Sequence, residues 1–121
     1  TGAADIEDQD TGRLPTTLTG LLETQIEALI TAGAKFHVET VADSLMMSKR
    51  TLQRAIAYEG LNYFQLLSDV RLRKAMDWLD RSDKSVTEIA LALGYTDVSN
   101  FSRAFRRHTG ISPRAFRQAA S

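Results

Sequence analysis

The fold is decided by residues 85–116, which read SVTEIALALGYTDVSNFSRAFRRHTGISPRAF. Ser85 lies three residues before Glu88, and this spacing predicts a capping box at the start of a helix. Gly94 interrupts the helical apolar spacing that follows, which predicts a tight turn before a second helix. The outer side of that second helix carries Ser99, Arg103, Arg106 and Arg107. Two short helices with a glycine turn and a basic outer side predict a helix-turn-helix.

The same pattern occurs upstream in residues 37–64, which read HVETVADSLMMSKRTLQRAIAYEGLNYF. Leu45 corresponds to Leu93 at an offset of 48, and Arg54 corresponds to Arg103 at an offset of 49. An internal repeat of this kind is stronger evidence for the motif than either copy alone.

The repeat, and above all the run IALALGYTDVSNFSRAFRRHTGISPRAF, resembles the DNA-binding domain of AraC/XylS-type bacterial transcription regulators over roughly residues 18–117. The resemblance implies an all-α fold of about seven helices, with two helix-turn-helix subdomains joined by a long linking helix. It also implies sequence-specific binding of double-stranded DNA to regulate transcription, more often as an activator, with two recognition helices in successive major grooves. RNA polymerase is a second implied partner, and the implied location is the cytoplasm, at the bacterial nucleoid.

Two features of the chain bear on this resemblance. Family members usually carry an effector or dimerisation domain upstream, and this sequence begins at Thr1 and not at a methionine. We therefore expect it to be a fragment of a longer protein. The family often has glycine where this chain has Met46, and a left-handed conformation costs a non-glycine residue about 1 kcal/mol. The sequence leaves open whether the first turn is left-handed or of another type.

The segments around the repeats predict the domain organisation. Residues 1–16 are polar and acidic, which favours a disordered linker in front of a DNA-binding domain at 17–121. A first helix is predicted over about 17–32. A longer one, over about 62–81, would form a rod of roughly 28 Å between the repeats. A last helix has Pro113 at its first position, a placement that proline favours.

Charge is unevenly distributed along the chain, although 15 basic and 15 acidic residues balance overall. Residues 1–47 hold eight acids and two bases, whereas residues 48–121 hold thirteen bases and seven acids, a net charge of +6. Residues 98–121 contain five arginines and no acid. Local charge determines where a polyanion binds, so the C-terminal part is the predicted nucleic-acid surface.

The outer sides of the two predicted recognition helices carry the candidate DNA contacts. Arginine reads guanine and glutamine reads adenine in the major groove, whereas phosphate contacts give affinity and register. The predicted base-reading residues are Arg50, Gln53, Arg54, Val98, Ser99, Asn100 and Arg103. The predicted phosphate-contacting residues are Lys49, Thr51, Arg71, Arg106, Arg107, Ser112 and Arg114, with Arg117 as a further candidate. For Arg71 and Arg73, a salt bridge to Asp69, Asp77 or Asp80 is an equally good interpretation.

Other residues have simpler interpretations. Trp78, Phe101 and Phe105 are predicted core residues, because they lie at helical core spacing. The three methionines, Met46, Met47 and Met76, are interpreted as apolar fillers. His37 and His108 have no carboxylate or thiol partner at ligand spacing, and there is no cysteine, so no metal site is predicted.

Two other classes of function remain as alternatives. A helical protein-interaction module could use the arginine faces to bind an acidic partner. A hydrolase or a ligand-binding enzyme would need a pocket and a catalytic constellation. The sequence contains no glycine-rich phosphate loop and no nucleophile elbow, so we predict neither a cofactor nor a catalytic residue.

Overall fold

The computed structural model describes residues 17–120, and within this range the chain forms seven α-helices and no strand. The helices are α1 (Leu18–Thr31), α2 (Val38–Ser44), α3 (Lys49–Tyr58), α4 (Tyr63–Arg81), α5 (Val86–Ala92), α6 (Val98–Thr109) and α7 (Pro113–Ala120). The predicted fold class is confirmed. The predicted linker at 1–16 lies outside the described residues, and the domain boundary after it remains a prediction.

The long helix α4 separates two units. In the first unit (α1 to α3), α1 packs against α4 and also against α2 and α3. In the second unit (α5 to α7), α7 packs against α4 and against α6. Because both units pack on one continuous helix, their positions depend on its geometry.

Local hydrogen bonds determine where several helices begin. Asn62 accepts the Gln65 backbone N–H at 2.9 Å, and its own N–H donates to the Gln65 side chain at 3.0 Å. Ser85 and Glu88 form the same reciprocal pair at the start of α5. Asp97 caps α6 through a backbone N–H at 2.8 Å. These bonds satisfy donors that the first turn of a helix leaves free, which explains why the boundaries could be predicted from sequence.

The two helix-turn-helix turns have the same geometry. Met46 has φ +58° and Gly94 has φ +89°, so both residues are left-handed. The Met46 N–H donates to Asp43 O at 3.0 Å, and the Gly94 N–H donates to Leu91 O at 3.0 Å. The question left open by the sequence is therefore resolved in favour of the left-handed turn. The Met46 side chain is 94% exposed, so its interpretation as an apolar filler is wrong.

The core of the second unit is built on aromatic residues. Phe101 and Phe105 are buried, as predicted, and their ring centroids are 5.8 Å apart. Phe105 also meets Phe116 of α7 edge-on at 5.6 Å. Trp78 is only partly buried, and the ammonium groups of Lys74 and Lys84 lie 5.2 and 5.1 Å from its ring. The prediction of a core position for Trp78 is therefore only partly correct.

The ion pairs of α4 differ from those predicted. Arg73 pairs with Glu23 of α1 at 3.6 Å, and Lys74 pairs with Glu27 at 3.7 Å. The predicted partners of Arg73 are wrong because that side chain reaches α1 and not an acid on its own helix. Asp77 and Asp80 instead lie beside Arg81, at 3.5 and 3.8 Å.

Arg117 of α7 forms hydrogen bonds to the C-terminal end of α4. Its Nε donates to Leu79 O at 3.0 Å, and its Nη2 lies 3.3 Å from Trp78 O and Ser82 O. Carbonyls at a helix C-terminus lack partners within the helix, and a cation there is favourable. This arrangement argues against the phosphate contact suggested for Arg117.

Candidate nucleic-acid interface

The predicted base-reading residues of the first unit share the outer side of α3. Leu52 and Ile56 bury the inner side of this helix. Arg50, Gln53 and Arg54 are exposed and line one shallow patch together with Lys49 and Ala57. The Ser48 hydroxyl accepts the Thr51 N–H at 3.0 Å and so fixes the start of the helix. The structure therefore brings this predicted set together, with Thr51 exposed beside its N-terminal end.

The first unit offsets part of its own positive charge. Lys49 pairs with Glu39 of α2 at 3.2 Å. A backbone hydrogen bond, followed by the hydrogen bond and the charge of Lys49, lowers the pKa of the Glu39 carboxyl. The carboxylate remains charged at neutral pH, so Lys49 must exchange this partner for a phosphate if it contacts DNA.

A short hydrogen-bond chain orients the exposed side of α6. The Asn100 amide donates to the Thr96 hydroxyl at 2.7 Å, and Arg103 Nη2 donates to Asn100 Oδ1 at 2.5 Å. A guanidinium has five donors, so this bond leaves enough of them for a bidentate contact to a base. Thr96 precedes the N-cap Asp97 and lies outside α6, so helical spacing gave no signal of its contact with Asn100.

Val98 differs from the other predicted base-reading residues of the second unit. Ser99, Asn100 and Arg103 are exposed. Val98 is half-buried, packs against the core and lines a shallow cavity between α5, α6 and α7. The exposed set on α6 therefore consists of three residues, and Val98 can offer a base only the edge of its side chain.

The predicted phosphate-contacting residues of the second unit are mostly accessible. Arg106 and Arg107 are exposed in the last turn of α6, and Arg114 is exposed near the start of α7. Within residues 17–120 these three arginines form no ion pair. Ser112 is half-buried, and its hydroxyl accepts the Ala115 N–H at 3.1 Å. The two recognition helices therefore differ in free positive charge, which is greater on the second unit.

Arg71 does not lie on either recognition helix. It is half-buried on α4, and its guanidinium lies beside the rings of Phe36 and Tyr95. Binding a phosphate would pull the guanidinium away from both rings, so this environment argues against the predicted phosphate contact. The alternative prediction, a salt bridge of Arg71, is wrong, because Arg71 forms no ion pair within the described part of the chain.

No group of three or more potential metal-ligating side chains occurs between residues 17 and 120. Over the same residues, none of the helices combines the length and the apolar character that crossing a bilayer requires.

Comparison with known proteins agrees with this geometry. A family model described as a helix-turn-helix domain matches residues 41–119. The chain is 42% identical over 102 residues to the ornithine utilization regulator of Pseudomonas aeruginosa, with 83% of this chain and 30% of that protein covered. The chain therefore spans about 30% of the length of this curated relative.

Two solved structures are similar over most of the chain. One is a transcriptional regulator from Chromobacterium violaceum described by its AraC-type DNA-binding domain, with 28% identity, a TM-score of 0.65 and coverage of 84% of this chain and 87% of that one. The other is the DNA-binding domain of the global transcriptional factor AdpA in complex with a target DNA. It has 33% identity, a TM-score of 0.63 and coverage of 81% of this chain and 90% of that one.

Proposed function

The chain belongs to the AraC/XylS-type helix-turn-helix family of transcription regulators, and from this premise we propose that it binds double-stranded DNA sequence-specifically to regulate bacterial transcription. The observation that carries the proposal is the presence of two exposed, basic recognition helices on one linking helix. The AdpA domain, which has the same fold, was solved with DNA, and this supports the same class of partner for this chain.

In the proposed mechanism, each recognition helix enters one major groove. Helix α3 presents Arg50, Gln53 and Arg54 to the base edges, and α6 presents its own exposed set, in which Arg103 is held by Asn100. The 19 residues of α4 form a rod of roughly 28 Å. One turn of B-DNA spans about 34 Å, so helices fixed at the two ends of such a rod can reach successive grooves, with some bending of the duplex.

Phosphate contacts would supply affinity and register. Arg106, Arg107 and Arg114 are the best candidates because they are exposed and form no ion pair with a described residue. Lys49, Thr51 and Ser112 would add contacts near helix N-termini, where backbone N–H groups also favour anions.

The wider biological context is part of the same proposal. We expect activation to be the commoner outcome, with RNA polymerase as a protein partner and an effector or dimerisation domain elsewhere in the full-length protein. The bacterial nucleoid in the cytoplasm is the place where such a regulator acts. We propose no enzymatic activity, because the family to which the chain belongs consists of regulators.

Selection from a random duplex library, followed by a salt titration on the selected site, tests the proposal. We expect a defined consensus and a steep fall of affinity with salt, because neutralising each phosphate contributes about −0.9 to the log–log slope. A protein-interaction module would give no consensus. Failure to select one, or an affinity for duplex DNA that does not respond to salt, would overturn the proposal.

A further inference from the structure

Arg71 lies where the two units meet. Its guanidinium carbon is 5.8 Å from the ring centroid of Phe36, in the loop between α1 and α2. The same carbon is 4.6 Å from the ring of Tyr95, in the turn between α5 and α6. Its Nε is buried and has no hydrogen-bond acceptor among residues 17–120. A guanidinium interacts with aromatic faces through both its charge and its plane, so Arg71 joins the units by ring contacts.

Gly94 allows the units to approach each other closely. A Cβ at this position would lie 2.8 Å from Phe36 Cζ and 3.3 Å from Arg71 Nη2. The first of these distances is shorter than real Cβ contacts, so a side chain at Gly94 would force Phe36 to move. The ring of Phe36 therefore lies directly against the backbone of the turn in the second unit.

The loop that carries Phe36 is also held by the start of α4. The Tyr63 hydroxyl donates a hydrogen bond to Phe36 O. Burial raises the pKa of Tyr63 to about 12, so this hydroxyl remains a donor throughout the physiological pH range. Tyr63 and Arg71 lie on the same helix about two turns apart. One rigid helix thus holds the loop at two points.

The contact between the units is open on one side. A cleft of about 600 Å³ opens beside it, with Phe64 of α4 and Leu91 of α5 among its lining residues. Phe64 is 81% exposed, so it does not fill the space between the units. With an open cleft on one side, the ring contacts of Arg71 supplement the packing of both units on α4.

We propose that Arg71, held between Phe36 and Tyr95, is a positioning residue that sets the angle between the two recognition helices and thereby the spacing of the DNA segments that the protein accepts. This inference rests on the proposed function. One base-pair step moves a segment by about 3.4 Å and rotates it by about 35° around the duplex. A protein that prefers one spacing must resist a rotation of that size between its units.

The test uses duplexes that carry the two segments of the selected site. Their separation is the selected one, or is shorter or longer by one or two base pairs. The 121-residue chain is compared with Arg71→Lys and Arg71→Gln. We expect the unchanged protein to discriminate against a one-base-pair change by about tenfold, Arg71→Gln to lower this discrimination about fivefold, and Arg71→Lys to lower it about twofold or more. Their affinity for a duplex with a single segment should not change.

Arg71→Lys separates this role from a phosphate contact. Lysine keeps the charge but lacks the planar guanidinium, so it should retain only part of the spacing discrimination if the ring contacts set the angle. If Arg71 instead binds a phosphate, lysine should resemble arginine. Arg71→Gln should then weaken binding at every spacing alike and lower the salt slope by about one. That result would overturn the inference, as would unchanged spacing discrimination in both variants.

Arg73→Gln is the matched control, because it removes the same charge from the same helix where the partner is Glu23. It should keep the spacing preference. Phe36→Leu tests the contact from the first unit and should reproduce the broadened preference, so the inference remains testable if an Arg71 variant does not fold. If the unchanged protein selects no duplex sequence, the proposed function fails. If it selects one and only the spacing effect is absent, this inference alone fails.

Discussion

Arg103 and Arg107 lie one helical turn apart on α6, and their environments predict different contributions to binding. Arg103 is bonded to Asn100 on the exposed reading side, whereas Arg107 lies exposed in the last turn. Arg103→Ala, like Arg54→Ala in the first unit, should weaken the binding free energy for the selected site by about 1–3 kcal/mol. It should also relax the base preference at one base pair. Titration against the site and its single-base variants measures both effects.

Arg107→Ala is the counterpart in that experiment. It should weaken binding to all duplexes alike and reduce the salt slope by about one, because a phosphate contact carries no sequence information. A selected consensus that stays unchanged in Arg103→Ala would show that this arginine does not read bases.

Met46 adopts a left-handed conformation that glycine adopts without strain. Its φ is +58°, and its side chain is 94% exposed, so removing the side chain sacrifices little packing. Met46→Gly should therefore raise the free energy of unfolding by up to about 1 kcal/mol. Met47→Gly is the control and should destabilise, because Met47 packs against the core and has no positive φ. Urea denaturation of both variants measures the difference, and a less stable Met46→Gly would contradict the account of strain.

The roles of the arginines differ in how far the sequence could predict them. Arg50 and Arg54 could be placed on an exposed side because helical spacing alone determines which residues face solvent. Arg71 and Arg117 could not, since their partners are distant in sequence: Arg71 meets Phe36, and Arg117 donates to Leu79 O, 38 residues away. Periodicity carries no information about contacts of that range.

At the scale of elements, the left-handed turns offer a matched pair of positions. Gly60 follows α3 with φ +81°, and a Cβ added there would have no neighbouring atom within 4 Å. Gly94 follows α5 with φ +89°, and a Cβ there would lie 2.8 Å from the Phe36 ring. Gly60→Ala should lower the free energy of unfolding by about 1 kcal/mol, because alanine is strained in the left-handed conformation. Gly94→Ala should lower the free energy of unfolding by about 1–3 kcal/mol more than Gly60→Ala does, because its methyl group must displace the Phe36 ring. Thermal or urea unfolding compares the two, and equal losses would show that the Phe36 ring yields freely.

Element boundaries followed from the sequence more reliably than element contacts did. Helix α3 begins at Lys49 because Ser48 caps it locally, and α4 spans nearly the predicted residues 62–81 because Asn62 and Gln65 form its capping box. The pairing of Arg73 with α1 was missed, because nothing within one helix indicates which neighbouring helix will pack on it. The candidate site has the same limit. Helical spacing within each recognition helix determines which residues share its outer side, whereas the angle between the two helices depends on tertiary packing.

For the whole molecule, the continuous linking helix predicts a strict limit on DNA spacing. The two segments should lie about 10 base pairs apart, centre to centre, on one face of the duplex. They need not be palindromic, because the units are tandem within one chain. Inserting about five base pairs turns the second segment to the opposite face, and affinity should fall toward that of a single segment.

A full-turn insertion of about ten base pairs should not restore binding, because α4 cannot lengthen to follow it. Gel-shift titrations on the three duplexes measure this directly. Affinity that survives the half-turn insertion would mean that only one unit reads bases or that α4 does not remain one helix on DNA.

The unequal charge of the two units has a kinetic consequence. Residues 98–121 carry five arginines and no acid, whereas Lys49 of the first unit is paired with Glu39. Electrostatic attraction extends about 8 Å at physiological salt and governs the rate of encounter more than the lifetime of the complex. The second unit should therefore contact the DNA first and bind any duplex briefly through the phosphates of the DNA. The first unit then engages, and a correct sequence is distinguished by how slowly the protein leaves and not by how quickly it arrives.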